Sequence, residues 1–329
     1  MSNDRQYRTG LKTLAAATAM ALSSGAVALD VPGPVVDREW LSANLGDDNL
    51  VVIDIRHPVD SAFVAPEWKK DEKTGEEYLA RVGGHISGAT VVDAKTIRAK
   101  RDIDGETVKK LIPDRESFER LMQSWGVDAD DTIVIAPMGF GAGDMTNATR
   151  LYWQMKYYGE DDIAILDGGT SGWLAAGGEH SAEKRTAESG DWSASEEREE
   201  ILATTQEVEA AQGSGVQIVD TRSPNQYMGV FTKSYVFDDG HIAGAKNYPT
   251  SLMSEAGMAT NFLAAERYRK LMTRLGINPD SPAITTCNSG HLGSGGWFIL
   301  HEILGNDNVA LYDGSMHEWT LRGNKAVAF

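Results

Sequence analysis

Short runs of apolar, mostly β-branched residues recur along this chain at residues 50–54 (LVVID), 132–135 (TIVI), 216–220 (VQIVD) and 283–286 (AITT). Each is too short for a helix and is bounded by polar or glycine-containing stretches, which predicts a strand buried on both faces. Helical patterns fall between these runs. Asp37 stands where a side chain caps a helix opening at Arg38, and residues 295–304 read as a helix behind the last run. Strands alternating with helices predict an α/β fold: a doubly wound parallel sheet with helices on both faces.

The pattern occurs twice. Asp54-Ile55-Arg56 at a strand end returns as Asp220-Thr221-Arg222, and Gly84-His85-Ile86-Ser87-Gly88-Ala89 returns as Gly240-His241-Ile242-Ala243-Gly244-Ala245. Phe118, Met122 and Trp125-Gly126-Val127 return as Tyr268, Met272 and Leu275-Gly276-Ile277. The third run returns as the fourth, and Asp167-Gly168-Gly169 with Trp173 returns as Asp313-Gly314-Ser315 with Trp319. Landmarks kept in one order identify two tandem domains related by internal duplication, with a period too long for a solenoid. The predicted division is residues 1–28 as a targeting segment, 29–178 as a first domain, 179–200 as a polar linker and 201–329 as a second domain. A charged stretch at 64–81 reads as a solvated loop inserted in the first half. The Asp/Arg pairs and the two tryptophans occur in both halves and therefore read as structural.

The N-terminus departs from this pattern. Arg5, Arg8 and Lys12 precede the apolar stretch LAAATAMAL, and Ala26-Val27-Ala28 supplies a small-residue cleavage motif. This is the layout of a Sec-type signal peptide cleaved near Ala28, and it predicts a periplasmic or secreted protein with no membrane span in the mature chain. The 329 residues carry 31 Lys and Arg against 48 Asp and Glu, a net charge of −17. Such a surface disfavours nucleic acid as a partner. It also repels small anions at long range, so an anionic substrate needs a local site to hold it.

One cysteine is present, Cys287, so no internal disulfide forms. No metal-ligand spacing, Walker loop or dinucleotide fingerprint occurs, and no metal or cofactor is expected. Cys287 sits between a predicted strand and a predicted helix, in the small-residue run Cys287-Asn288-Ser289-Gly290-His291-Leu292-Gly293. Backbone N–H groups in such a turn form an anion-binding nest, and a helix behind it adds the positive end of its dipole. Both favour a thiolate nucleophile. Gly290 and Gly293 read as giving the nest its backbone freedom, and Asn288 as adopting an unusual backbone angle. His291 is placed to bond an oxyanion or, protonated, to favour the thiolate. In the first half the matching position is Pro137, so that half lacks the nucleophile.

As a set, the D-x-R strand end, the GHI-x-GA turn, the cysteine loop and the DG close before a tryptophan resemble tandem rhodanese-domain sulfurtransferases. The resemblance covers residues 30–325 and implies two small doubly wound domains, the first inactive and the second catalytic. It implies a sulfane sulfur taken from thiosulfate or 3-mercaptopyruvate as a Cys287 persulfide and passed to cyanide, a thiol or a protein thiol. It makes residues 287–292 the active loop, with Ser289 as a proton relay to the leaving group, and Asn288, Gly290, Leu292 and Gly293 around the substrate. It places His85 across the cleft, with Glu76 or Glu77 as acidic partner. The substrate arginines that such enzymes carry before the second GHI-x-GA turn are replaced by Gln226 and the 233–235 stretch, leaving Lys233 as the substitute cation. A C-x5-R phosphatase is the alternative enzyme on this fold, but Gly293 stands where its arginine belongs. A non-enzymatic sulfur carrier or binding module is the remaining alternative.

Overall fold

The computed structural model describes residues 29–255, 257 and 259–328; the expected signal segment, residues 1–28, lies outside them. The first half contains β1 (Val35–Val36), α1 (Arg38–Asn44), β2 (Leu50–Arg56), β3 (Glu67–Lys70), β4 (Glu77–Arg81), β5 (His85–Ile86) and β6 (Thr90–Asp93). It continues with β7 (Ala99–Ile103), β8 (Glu106–Leu111), α2 (Arg115–Ser124), β9 (Thr132–Pro137), α3 (Ala142–Tyr157), β10 (Ile163–Leu166) and α4 (Gly169–Ala175). After β11 (His180–Ser181) the second half contains α5 (Thr205–Ala211), β12 (Gln217–Asp220), α6 (Pro224–Tyr227), β13 (Lys246–Asn247) and α7 (Ala265–Arg274). It ends with β14 (Ala283–Thr286), α8 (His291–Phe298), β15 (Val309–Leu311) and α9 (Ser315–Leu321).

The duplication is visible in the sheets. The first is all parallel in the order β1-β10-β9-β2-β6, and the second all parallel in the order β13-β12-β14-β15. Leu202 bridges Leu311 in parallel and so takes the edge position that β1 holds in the first sheet. The four apolar runs are β2, β9, β12 and β14, each covered on both faces as a continuous apolar strand must be. Asp37 caps α1 by accepting from the Trp40 N–H at 2.8 Å. The recurrent ion pairs are buried structural pairs, Arg56 on Asp54 and Arg222 on Asp220, each at 2.5 Å. Trp173 and Trp319 are buried, each giving its indole N–H to a carbonyl six residues on.

Three local expectations change. Residues 64–81 are not an open loop: β3 and β4 pair as an antiparallel hairpin. The 179–200 segment is not a free linker. It opens as β11 on β5, then lays Trp192 edge-on against Phe118 of α2 and anchors its backbone to Gln123 and Val127. The helix behind the cysteine starts at His291 rather than Gly295 and runs on into a π-helical turn at Ile299–Ile303.

The two halves share one core. Helices α3 and α8 pack together, and a continuous apolar cluster runs from Ile53 and Ile135 through Tyr152 and Trp153 to Trp297 and Phe298. Each half also reaches over the other. The segment between the last edge strand and the next helix is β7–β8 in the first half and, among the described residues, 248–255 and 259–264 in the second. The Ile112 N–H donates to Asp313 Oδ2 at 2.8 Å, and the Phe262 N–H donates to the equivalent Asp167 Oδ1 at 2.8 Å. The first domain's hairpin is thereby pinned over the second domain's cysteine loop. Among the described residues no helix is long and apolar enough to cross a membrane.

Candidate active site

Cys287 follows the last residue of β14 at the carboxyl end of the second sheet, where open α/β sheets place their ligands. Its side chain is 1% exposed. The Ser289 N–H points at its sulfur, 3.4 Å away. The wider nest is partly consumed by the protein itself. The N–H groups of Cys287 and Gly290 both donate to Ser315 Oγ at 3.0 Å, and that hydroxyl donates to the Tyr312 carbonyl at 2.7 Å. Ser315 holds a left-handed φ of 50°, where the first domain has Gly169 at 55°. The serine thus sits in a conformation that costs a non-glycine residue about 1–3 kcal/mol, offset by its two hydrogen bonds to the loop and one to Tyr312.

The loop glycines have separate reasons. Gly290 needs its φ of 70°, and a Cβ there would lie 2.7 Å from Arg150 Nη1 and from the Asp313 carbonyl oxygen. Gly293 is helical, contrary to the expectation of a turn angle: a Cβ there would lie 2.7 Å from Leu311 Cδ1, so a side chain would require Leu311 to shift. Asn288 keeps ordinary backbone geometry and reaches Gln226 Oε1 with its amide at 3.4 Å. Leu292 is a half-buried residue in the first turn of α8.

His291 is not the cationic neighbour anticipated. Arg98 Nη2, from the first domain, donates to its Nδ1 at 2.9 Å, so that nitrogen carries no proton. The proton is on Nε2, 3.1 Å from Thr146 Oγ1, which in turn donates to the Gly143 carbonyl. Burial, then Arg98, Arg150 and Lys110, push the imidazole well below its usual range. His291 is a neutral residue that orients Arg98.

The other charges come from the first domain as well. Lys110 is the extra residue of a bulge in the β7–β8 hairpin and holds a left-handed φ of 69°. Its ammonium lies 4.0 Å from the centre of the Tyr235 ring. Burial, Arg98 and Lys233 pull its pKa down while Cys287 acts in the opposite direction. Arg98 is pulled down by burial and Arg150 and held up by Cys287, Tyr235 and Asp313. Burial raises the Tyr235 phenol, and the Ser289 side chain acts against that rise. Arg150, buried in α3, lies 2.6 Å from Asp313 Oδ1 behind Gly290. His317 accepts the Lys109 N–H on Nε2 and gives its Nδ1–H to the Tyr235 carbonyl, joining hairpin to loop.

Two expected residues lie elsewhere. Lys233 is exposed at the rim, its ammonium 5.6 Å from the Phe231 ring centre rather than on the loop. His85 is buried in the first domain, with Nδ1 and Nε2 each 2.9 Å from the carbonyl oxygens of Ile86 and Glu183 and Phe63 edge-on. Its intended partner Glu77 faces Lys70. His85 holds the turn in place and does not face the cysteine loop.

Arg98, Lys110, Arg150 and Ser315 are the residues that sequence reasoning missed. Only Ser315 left a signal, as a serine where the duplicate has glycine. Among the described residues no group of His, Cys, Asp and Glu is gathered to hold a metal.

The Rhodanese-like domain family model matches this chain twice, over residues 37–176 and 204–322. A "Putative thiosulfate sulfurtransferase" of Saccharopolyspora erythraea is 30% identical over 291 residues, 87% of this chain and 92% of the relative. The sulfur carrier protein TtuD of Thermus thermophilus is 29% identical over 88% of this chain and 94% of its own. Among solved structures, the 3-mercaptopyruvate sulfurtransferase SseA from Escherichia coli superposes with a TM-score of 0.67 at 23% identity, over 86% of this chain and 98% of that one. An anaerobic ergothioneine biosynthesis enzyme from Chlorobium limicola superposes with a TM-score of 0.69 at 22% identity, over 89% and 70%. At these identities the two structures speak for the fold.

Proposed function

The chain belongs to the rhodanese family, with two copies of the domain, and from that premise we propose that it is a sulfurtransferase working through a persulfide on Cys287. The observation that carries the reading is the sulfur itself. The one thiol of the chain follows a central parallel strand, receives the Ser289 N–H, and lies in the loop whose His291 accepts from Arg98 of the first domain. Curated relatives covering nearly the whole chain carry sulfur-transfer names.

In the first step the thiolate attacks the outer sulfur of an anionic donor. With thiosulfate a Cys287 S–S bond forms, the donor S–S bond breaks, and its electron pair leaves with sulfite. With 3-mercaptopyruvate the C–S bond breaks instead, and carbon takes the pair and the thiol proton to give pyruvate. Ser289, whose own N–H lies against the sulfur, is the relay for that proton. In the second step cyanide or a thiol attacks the outer sulfur of the persulfide and restores the thiolate. Splitting the transfer in two is covalent catalysis, and the amide and cations serve the persulfide anion as they serve the thiolate. Export through residues 1–28 belongs to the same proposal. It predicts a mature N-terminus near Leu29 in material recovered from outside the cytoplasm.

The test is turnover. Thiosulfate or 3-mercaptopyruvate with cyanide yields thiocyanate catalytically, and Cys287→Ser yields none. A chain that loads one sulfur and releases it only to a protein thiol would instead be a carrier.

A further inference from the structure

Arg98 and Lys110 are unmatched charges. Most other arginines of this acidic chain meet a carboxylate, yet among the described residues neither Arg98, Lys110 nor Lys233 does. Arg98 Nε is buried without a hydrogen-bond partner. Arg98 spends one Nη on the neutral His291, and Lys110 faces only an aromatic ring. Half-buried cations without counter-ions imply an anion that is supplied from outside. In the second domain Lys233 is turned to Phe231 at the rim. Gln226, where family enzymes carry substrate arginine, is engaged by Asn288.

We propose that donor recognition belongs to the domain that lacks the thiol: Arg98 and Lys110, presented beside and on the β7–β8 hairpin, hold the anionic end of the sulfur donor over Cys287. His291 is a positioning residue, its Nδ1 lone pair fixing the Arg98 guanidinium. The bulge at Lys110 supports the assignment. A lysine in left-handed backbone is strained, and such strain gathers at functional sites. The charge balance points to the donor class. Two cations at the loop, Arg98 and Lys110, match a doubly charged oxoanion of the thiosulfate kind better than a singly charged 2-oxo acid. Covering of the second domain's loop by the first domain's hairpin gives the thiol-free half a function in the reaction.

This inference rests on the sulfurtransferase reading, and the experiment separates the two. Thiosulfate binding to the Cys287→Ser chain is measured by titration calorimetry, alone and with Lys110→Asn, Arg98→Gln or Lys100→Gln added. Asparagine accepts the left-handed backbone, so K110N removes the charge without straining the hairpin. Lys100 is an exposed hairpin lysine and controls for net charge. Loss of a charged hydrogen bond is expected to raise the Kd on the order of tenfold or more for K110N and R98Q, with K100Q unchanged. In the Cys287 chain the same two variants raise KM for thiosulfate more than for 3-mercaptopyruvate. In the Arg98 chain, His291→Gln, which keeps an acceptor, retains more thiosulfate affinity than His291→Leu. Unchanged affinity in both K110N and R98Q, equal loss in K100Q, or no thiosulfate binding at all overturns the inference. If Lys110-dependent binding appears but Cys287 never gains sulfur, the anion site stands and the persulfide reading falls.

Discussion

At the scale of single residues, the site depends on side chains that act through others. Ser315 is the plainest case. Its hydroxyl holds the Cys287 and Gly290 amides, and its backbone sits at a φ of 50°. Ser315→Ala keeps the strain and leaves both amides without their acceptor. A loss of about 2–4 kcal/mol in urea unfolding is expected, with a larger fall in activity than in folded fraction at low denaturant. Ser315→Gly relieves the backbone and is expected to cost less. His291 makes a second prediction. Its native pKa is depressed by burial and nearby cations, and that of His317 is depressed by burial. Below about pH 6.5 the unfolded chain therefore takes up protons that the native chain refuses. Stability attributable to these groups is complete above that pH and falls as the solution is acidified through it, by at most ~1.4 kcal/mol per pH unit for each proton. Melts between pH 5 and 7.5 should show a shallower acid loss for His291→Gln than for the wild-type chain. An identical slope would mean that His291 is protonated in the folded protein.

At the scale of elements, the strands were legible in the sequence because burial on both faces leaves a continuous apolar run, and the four runs became β2, β9, β12 and β14. The duplication was legible because turns and ion pairs must be repeated for each sheet to form. The strap was not. Residues 179–200 have a linker's composition, and only Trp192 betrays that they pack. Its buried indole meets Phe118 edge-on and donates to Glu160 at 2.7 Å. Trp192→Ala is expected to destabilise the chain by about 3–5 kcal/mol. A change below about 1 kcal/mol, within the range of surface substitutions, would show the segment to be a tether after all. The β7–β8 hairpin was hidden for a related reason. Its residues are mostly charged, and their meaning lies in what they reach across the domain boundary, which local pattern does not encode.

At the scale of the whole molecule, the two domains divide one site between them. The second supplies the sulfur and the loop that holds it, and the first supplies cations through the hairpin and α3. The shared core across α3 and α8 fixes that division in space. It also resolves the tension set by composition. A net charge of −17 repels small anions at long range, while a cluster of cations at the cleft attracts them at short range. Salt screens both fields, but the cations act on a bound donor from a few ångströms and the acidic surface acts from farther away. Raising ionic strength from ~0.01 to ~0.15 M is accordingly expected to change KM for thiosulfate by less than about threefold, because the Debye length stays above the contact distance. A steep rise would place donor binding on the exposed surface. Cys287 and its loop were the readable part of the site, since the chemistry of a lone thiol in a strand-to-helix turn is local. Arg98 lies 189 positions earlier in the chain than Cys287, and folding alone brings them together.

Every role assigned to the loop and to the cations depends on Cys287 carrying sulfur. Intact-protein mass spectrometry of the purified chain, after incubation with thiosulfate and separately with 3-mercaptopyruvate, tests it most directly. The predicted result is a gain of one sulfur atom, greater with thiosulfate at low donor concentration, removed by cyanide and absent from Cys287→Ser. No gain from either donor, or an equal gain in Cys287→Ser, would contradict it.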